Sequence, residues 1–282
     1  MRSIIPMISA VLAGPALAAP ATPLAPSSKW QMDYAPTECR LLRSFGTGAQ
    51  TVTVQIGQVV PAPPIELVLV GPRIPVTDAF APAGLSTSTV GDISATAQGF
   101  AAEGRFLSSL RIDPNPSLRD ALVGDIAGGK PTRLGVTFAR GYSTTLDLGQ
   151  MKAPLAALDA CMDDLVRTWG VDPVEQRARK TGPVPANDPG TWFRVGDYPL
   201  EQRRAAAGAL VILRLGVGAN GAVTGCAVAK AGGDKAFEDL TCRLATERAR
   251  FTPALGASGR PIASYWAQRI RWQPGTPFLR SM

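Results

Sequence analysis

The 282-residue chain contains no histidine. Ser-His-Asp and Cys-His nucleophile systems therefore have no general base, and the commonest metal ligand is missing. The serine–lysine alternative lacks its Ser-x-x-Lys motif, and no Asp-Thr-Gly, Asp-Ser-Gly, P-loop or EF-hand loop occurs. Four cysteines are present without any Cys-x-x-Cys, which argues against a zinc or redox-motif site. No cofactor and no metal is implied, and the expectation is a non-catalytic protein. A carboxylate pair is the one chemistry left open. Long apolar runs are scarce as well. Ile4 to Leu12 falls well short of the ~20 residues that a bilayer requires.

That short apolar run has another reading. Arg2 forms a minimal positive region before it, and Ala16-Leu17-Ala18 after it is an A-x-A cleavage site. Residues 1–18 are therefore expected to be a signal peptide whose removal leaves Ala19-Pro20 at the new N-terminus and the protein in the periplasm. The alternative is an uncleaved signal anchoring the chain in the inner membrane. The cysteines suit an exported protein. Of their three possible pairings, Cys226–Cys242 would join a strand to the helix packed on it, and Cys39–Cys161 would clasp the N-terminal half; one pair left reduced and buried is the other option.

Hydrophobic residues make up 45% and charged residues 18%, the balance of a globular chain. The net charge of +7 is unevenly placed. Residues 191–282 hold 13 Lys/Arg against 6 Asp/Glu, whereas residues 19–190 hold 15 against 16. In an exported protein such a basic segment points away from nucleic acid and towards anionic lipid headgroups, glycan or an acidic peptide.

Along the chain, residues 19–29 (APATPLAPSSK) read as a flexible lead. Residues 30–170 read as a domain of mostly antiparallel β structure with a terminal helix. Its strands are Thr51–Ile56, Ile65–Val70, Gly104–Ile112 and a hairpin of Thr132–Phe138 with Tyr142–Leu148 about Arg140-Gly141. Thr87–Thr96 is either an edge strand or a loop, and Asp113-Pro-Asn-Pro is turn chemistry. Pro154–Trp169 carries Leu155, Leu158, Met162 and Leu165 at helical spacing and stops at Gly170. Asp159, Asp163 and Asp164 on this helix read as a solvated face. Residues 171–191, rich in charge and then in Pro and Gly, read as a linker.

From Trp192 the pattern changes to helix, strand, turn, strand, helix, strand. Val211, Leu213, Leu215 and Val217 alternate along Leu210–Val217, Ala219-Asn220-Gly221 supplies the turn, and Ala222–Lys230 returns. Gly216-Val-Gly218-Ala-Asn-Gly221 matches a dinucleotide fingerprint only literally, because a strand rather than a helix follows it. Asp234–Phe251 is amphipathic, and Ile262–Trp272 closes the unit. The overall expectation is an α+β fold whose C-terminal domain, residues 192–273, has a three-stranded antiparallel sheet and two helices, with residues 274–282 as a tail.

The order of Tyr198-Pro199, Gly208 before a strand, Asn220-Gly221, a Gly-Gly loop, Arg248-Ala-Arg-Phe-Thr-Pro-Ala254 and Gly259-Arg260-Pro261 resembles the C-terminal domain of the TonB energy-transducer family. The resemblance covers roughly a third of the chain. The chain departs from it at Ala231-Gly232-Gly233, where the family often has Ser-Ser-Gly, and in lacking a long Pro/Lys spacer. The resemblance implies TonB-linked transport and a partner, an outer-membrane or envelope protein segment, received by strand addition along the last strand: Ser264, Tyr265, Trp266, Ala267, Gln268 and Arg269. Beside it stand two other expectations: a basic surface of Arg203, Arg204, Arg269 and Arg271 contacting anionic lipid or glycan, and a homodimer.

Overall fold

The computed structural model describes residues 22–61, 65–75, 81–101, 108–115, 118–138, 141–273 and 278–280. The signal-peptide expectation for residues 1–18 lies outside them.

Period-two alternation builds the N-terminal half. Its strands are β1 (Gln31–Tyr34), β2 (Cys39–Phe45), β3 (Val52–Gln58), β4 (Glu66–Gly71), β5 (Ala81–Ser86), β6 (Ile93–Ala101) and β7 (Ser108–Asn115). Helix α1 (Leu118–Ala127) follows, then the hairpin β8 (Thr132–Phe138) and β9 (Tyr142–Gly149), then helix α2 (Lys152–Thr168). The strands form one nine-stranded antiparallel sheet in the order β1-β2-β3-β4-β7-β6-β5-β8-β9. Val52, Val54 and Ile56 of β3 and Leu67 and Leu69 of β4 point to the same buried side, where Leu155, Leu158, Met162 and Leu165 of α2 meet them. Cys39 and Cys161 are bonded across this core.

Two expectations for this half are corrected. The lead is not free: Leu24 N–H donates to Thr145 O at 2.8 Å and Ser27 N–H to Ser44 O at 2.8 Å. Residues 24–27 thereby bridge β9 to β2 and close the sheet on itself, because their backbone groups complete ladders that would otherwise end at an open edge. Asp113-Pro114-Asn115 makes no turn either. It continues β7, with Asn115 opposite Ser94 of β6, where sheet pairing overrides local turn chemistry. Residues 87–92 form the loop between β5 and β6. The buried carboxylate of Asp125 on α1 holds it, accepting from Thr89 Oγ1 at 2.5 Å, Thr87 Oγ1 at 3.2 Å and Ser88 N–H at 3.2 Å. Burial pushes the Asp125 pKa up, but these donors and Thr132 outweigh it and hold the carboxyl below its ordinary value.

The expected linker is corrected too. Asp172 caps helix α3 (Pro173–Ala178) by accepting from Val174 N–H at 2.8 Å, with Pro173 at the first turn. Strand β10 (Val184–Pro185) is paired further along the chain, and Asn187 donates to Arg248 O at 2.9 Å. The Pro, Gly and Asp of this stretch serve caps and turns rather than slack.

Helix α4 (Leu200–Arg204), strands β11 (Ala209–Val217) and β12 (Val223–Gly233), and helix α5 (Ala236–Arg248) come next. The short strands β13 (Phe251–Thr252), β14 (Ala254–Leu255) and β15 (Pro261–Ile262) lead into β16 (Ser264–Trp272), and β17 (Phe278–Arg280) ends the described chain. β13 pairs with β10, and β14 with β15. The main sheet has the order β12-β11-β16-β17, four strands rather than three, because the expected tail returns to pair with Arg269–Arg271. The fold is α+β, and Cys226 of β12 is bonded to Cys242 of α5.

Candidate functional site

The last long strand, β16, is held from several directions. Alternation sends Trp266, Gln268, Ile270 and Trp272 towards α5. Trp272 stacks on Phe237 at 5.1 Å between ring centres and donates its indole N–H to Thr241 Oγ1 at 2.8 Å. Trp266 meets Trp192 at 5.3 Å and Phe251 at 5.4 Å. One side of the strand pairs with β11 over its full length, from Ser264 opposite Val217 to Trp272 opposite Ala209.

The N-terminal end of this core is pinned by an ion pair. Arg248, at the end of α5, grips Asp197 with Nη1 at 2.5 Å from Oδ2 and Nη2 at 2.8 Å from Oδ1, and also donates to Trp192 O at 2.8 Å. Asp197 Oδ2 accepts from Arg194 N–H at 2.7 Å as well. The Arg248 hydrogen bonds come first among the causes that hold the Asp197 carboxyl below its ordinary pKa, against the opposing effect of burial. Tyr198, next in the chain, sits edge-on to Phe237 at 5.1 Å and donates to Ala207 O.

The turn between β11 and β12 carries the Gly216–Gly221 pattern, and a strand follows it. Gly221 has φ +78°, and a Cβ there would collide with the Phe251 carbonyl oxygen. Phe251 N–H donates to Gly221 O at 3.2 Å. The hairpin tip is thus stitched to the chain leaving α5.

The opposite face of β16 carries Tyr265, Ala267, Arg269 and Arg271, and its first half is covered. Tyr265 is 6% exposed and packs with Val60 and Val166 of the N-terminal half. Trp169, at the end of α2, meets the Tyr265 ring edge-on at 5.0 Å. Arg214 of β11, opposite Ala267 in register, lies 4.0 Å over the Trp169 ring. Burial lowers the Arg214 pKa from its usual value. Ser264 donates to Gln176 Oε1 at 2.6 Å, and Gln176 Nε2 donates to Ala263 O at 2.9 Å, so α3 clamps the start of the strand.

The outer backbone edge of β16 is used only in part. Strand β17 pairs with Arg269, Ile270 and Arg271; over Ser264–Ala267 no described strand pairs on that side. The six expected partner-binding residues therefore lie on one strand, with Ser264, Tyr265 and Gln268 buried by side chain and Trp266, Ala267 and Arg269 half-buried. Of the expected basic surface, Arg269 and Arg271 share one face of β16. Arg203 and Arg204 are exposed on α4, which Gln202 ties to Asp234 at 3.2 Å.

The aspartates of α2 are paired: Asp159 with Arg119 at 2.6 Å, Asp163 with Arg177, and Asp164 with Arg167. Asp159, Asp163 and their arginines rim an open cleft of about 530 Å³ floored by Ala156, Ala160 and Met162. Among the described residues no group of three or more His, Cys, Asp or Glu could hold a metal ion, and no helix is long and apolar enough to cross a membrane. Sequence reasoning missed Trp169 and Arg214; the one available signal was an arginine interrupting the apolar run of β11.

Residues 196–274 match the protein family described as Gram-negative bacterial TonB protein C-terminal, so the resemblance carried by Tyr198-Pro199 through Gly259-Arg260-Pro261 is borne out. Comparison with curated proteins and with solved structures returned no match.

Proposed function

We propose that this is a non-catalytic periplasmic protein whose TonB-type C-terminal domain receives an outer-membrane protein segment as an added strand on β16, in TonB-linked transport. The observation that carries the reading is the outer edge of Ser264–Ala267, which no described strand occupies. Backbone donors and acceptors along such an edge are a template for an extended peptide. The paired cysteines suit an oxidising compartment, and the absence of histidine excludes Ser-His-Asp and Cys-His nucleophile systems.

The test is capture from detergent-solubilised outer membranes by the full chain and by an Ala267→Pro variant, both first shown folded by circular dichroism. Proline removes a backbone donor and disturbs the ladder. Capture of a defined outer-membrane protein by the wild type alone is the expected result; equal capture by both sinks the reading. A second reading follows from Arg203 and Arg204, adjacent and exposed on α4: contact with anionic lipid or glycan, with or without dimerisation. It requires salt-sensitive binding to anionic vesicles that is lost in an Arg203→Glu, Arg204→Glu double variant.

A further inference from the structure

We infer that the cleft along α2 is a binding site for a small zwitterion the size of a dipeptide, whose two charged ends take over the inner charges of its rim. The site lies in the N-terminal half and is independent of strand addition at β16. Two arginine–aspartate pairs make the rim: Arg119 of α1 with Asp159 of α2 at 2.6 Å, and Arg177 of α3 with Asp163 of α2. The pairs are built in opposite senses. In the first the arginine is the inner member, its side chain 20% exposed against 53% for Asp159. In the second the carboxylate is the inner member, with Asp163 at 23% and Arg177 at 55%. One sheltered cation and one sheltered anion thus line the cleft, each paired with a partner that stands largely in water.

Such an arrangement suits exchange. An ion pair with one member in water is weak, because solvent screens it and holding two side chains together costs entropy. A ligand carrying both charges replaces Asp159 at Arg119 and Arg177 at Asp163, so neither sheltered charge loses its counterion. The signs also select against simpler ligands. An anion alone satisfies Arg119 but is repelled by Asp163, and for a cation the reverse holds. Spacing sets the size. Asp159 and Asp163 are one turn apart on α2, roughly 6 Å between Cβ atoms. A single α-amino acid carries both charged groups on one carbon, too close together, whereas an extended dipeptide at roughly 3.5 Å per residue spans the interval. Between the two pairs the floor is apolar, made by Ala156, Ala160 and Met162, and takes small aliphatic side chains. The volume of about 530 Å³ falls among those of small-molecule pockets.

The experiment is isothermal titration calorimetry of the full chain with L-alanyl-L-alanine, with its N-acetyl derivative and with its C-terminal amide. The wild type should bind the free dipeptide roughly tenfold or more tightly than either capped form, since each cap removes one charge-assisted contact. Arg119→Gln and Asp163→Asn should each weaken binding of the free dipeptide by a similar factor. Asp159→Asn and Arg177→Gln remove the competing partners instead, and each should tighten binding about threefold. Opposite signs for inner and outer substitutions are not expected of residues that merely support the fold. Circular dichroism and thermal unfolding report that each variant is folded; should one fail to fold, the capped dipeptides on the wild type decide alone. No binding by the folded wild type, equal binding of free and capped dipeptides, or the same change from inner and outer substitutions overturns the inference. None of these four residues lies on β16, so that outcome leaves the capture experiment untouched, and failure of capture leaves this site untouched.

Discussion

At Gly221 two pieces of main chain approach too closely for any side chain. The residue is in the left-handed region, and its missing Cβ is where the Phe251 carbonyl lies. Gly221→Ala is expected to lower unfolding free energy by about 2 kcal/mol, through strain and forced separation; urea unfolding checks it. Asp197 supplies a second prediction at this scale. Its folded pKa lies below the unfolded value of about 3.9. The stabilisation is therefore present above that unfolded value and is lost as pH falls through the lower, folded one. Asp197→Asn should cost about 2 kcal/mol at pH 7, the worth of hydrogen bonds between charged groups. Unfolding curves taken from pH 7 down to 2 should bring wild type and variant together at the acid end. A gap that stays constant across this range would mean that the carboxylate charge is not what matters.

Among the elements, those with local signals were legible and those defined by distant partners were not. The β11–β12 hairpin announced itself by alternation and by Asn220-Gly221, and α5 and α2 by helical spacing, because each of these patterns is a property of neighbouring residues. The Cys226–Cys242 pairing followed from the same placement, since the two residues fall on a strand and the helix that covers it, whereas Cys39–Cys161 rested only on both residues lying in the N-terminal half. Strand β17 was not legible, because its three residues are a strand only with β16 beside them. Pro and Gly in residues 171–191 are equally consistent with slack and with caps, so composition could not tell a linker from α3 and β10. For the candidate strand itself, alternation sorts the residues onto two faces but says nothing of their neighbours: no local signal puts Tyr265 against Trp169 rather than solvent. The Cys226–Cys242 bond closes a loop with a sequence separation of 16, and replacing both residues by alanine should cost about 3 kcal/mol on the chain-entropy account. Thermal unfolding of the double variant measures that loss and tests whether α5 still docks.

At the scale of the whole molecule, the two halves meet through a small, specific contact. Val60, Val166, Trp169 and Tyr265 enclose one another, Arg214 lies over Trp169, and Arg179 lies 5.2 Å over Tyr265. Trp169→Ala removes the centre of this cluster and takes from the N-terminal core only a partly buried side chain at its margin. The expected outcome is faster amide hydrogen exchange along Ser264–Ala267, with exchange in β3 and β4 unchanged. Unaltered exchange on β16 would mean that β11, the α5-side core and α3 hold the strand without this cluster.

The N-terminal sheet closes through residues 24–27, and the bond between Cys39 and Cys161 spans a sequence separation of 122 within it. A protease that cuts the backbone once between those cysteines therefore releases nothing: the two pieces stay joined by sulfur and, where the ladder survives, by the sheet. Such a nick would be invisible on a non-reducing gel and would appear as two fragments only after reduction. In an oxidising compartment, damage to this half of the protein would be retained rather than shed.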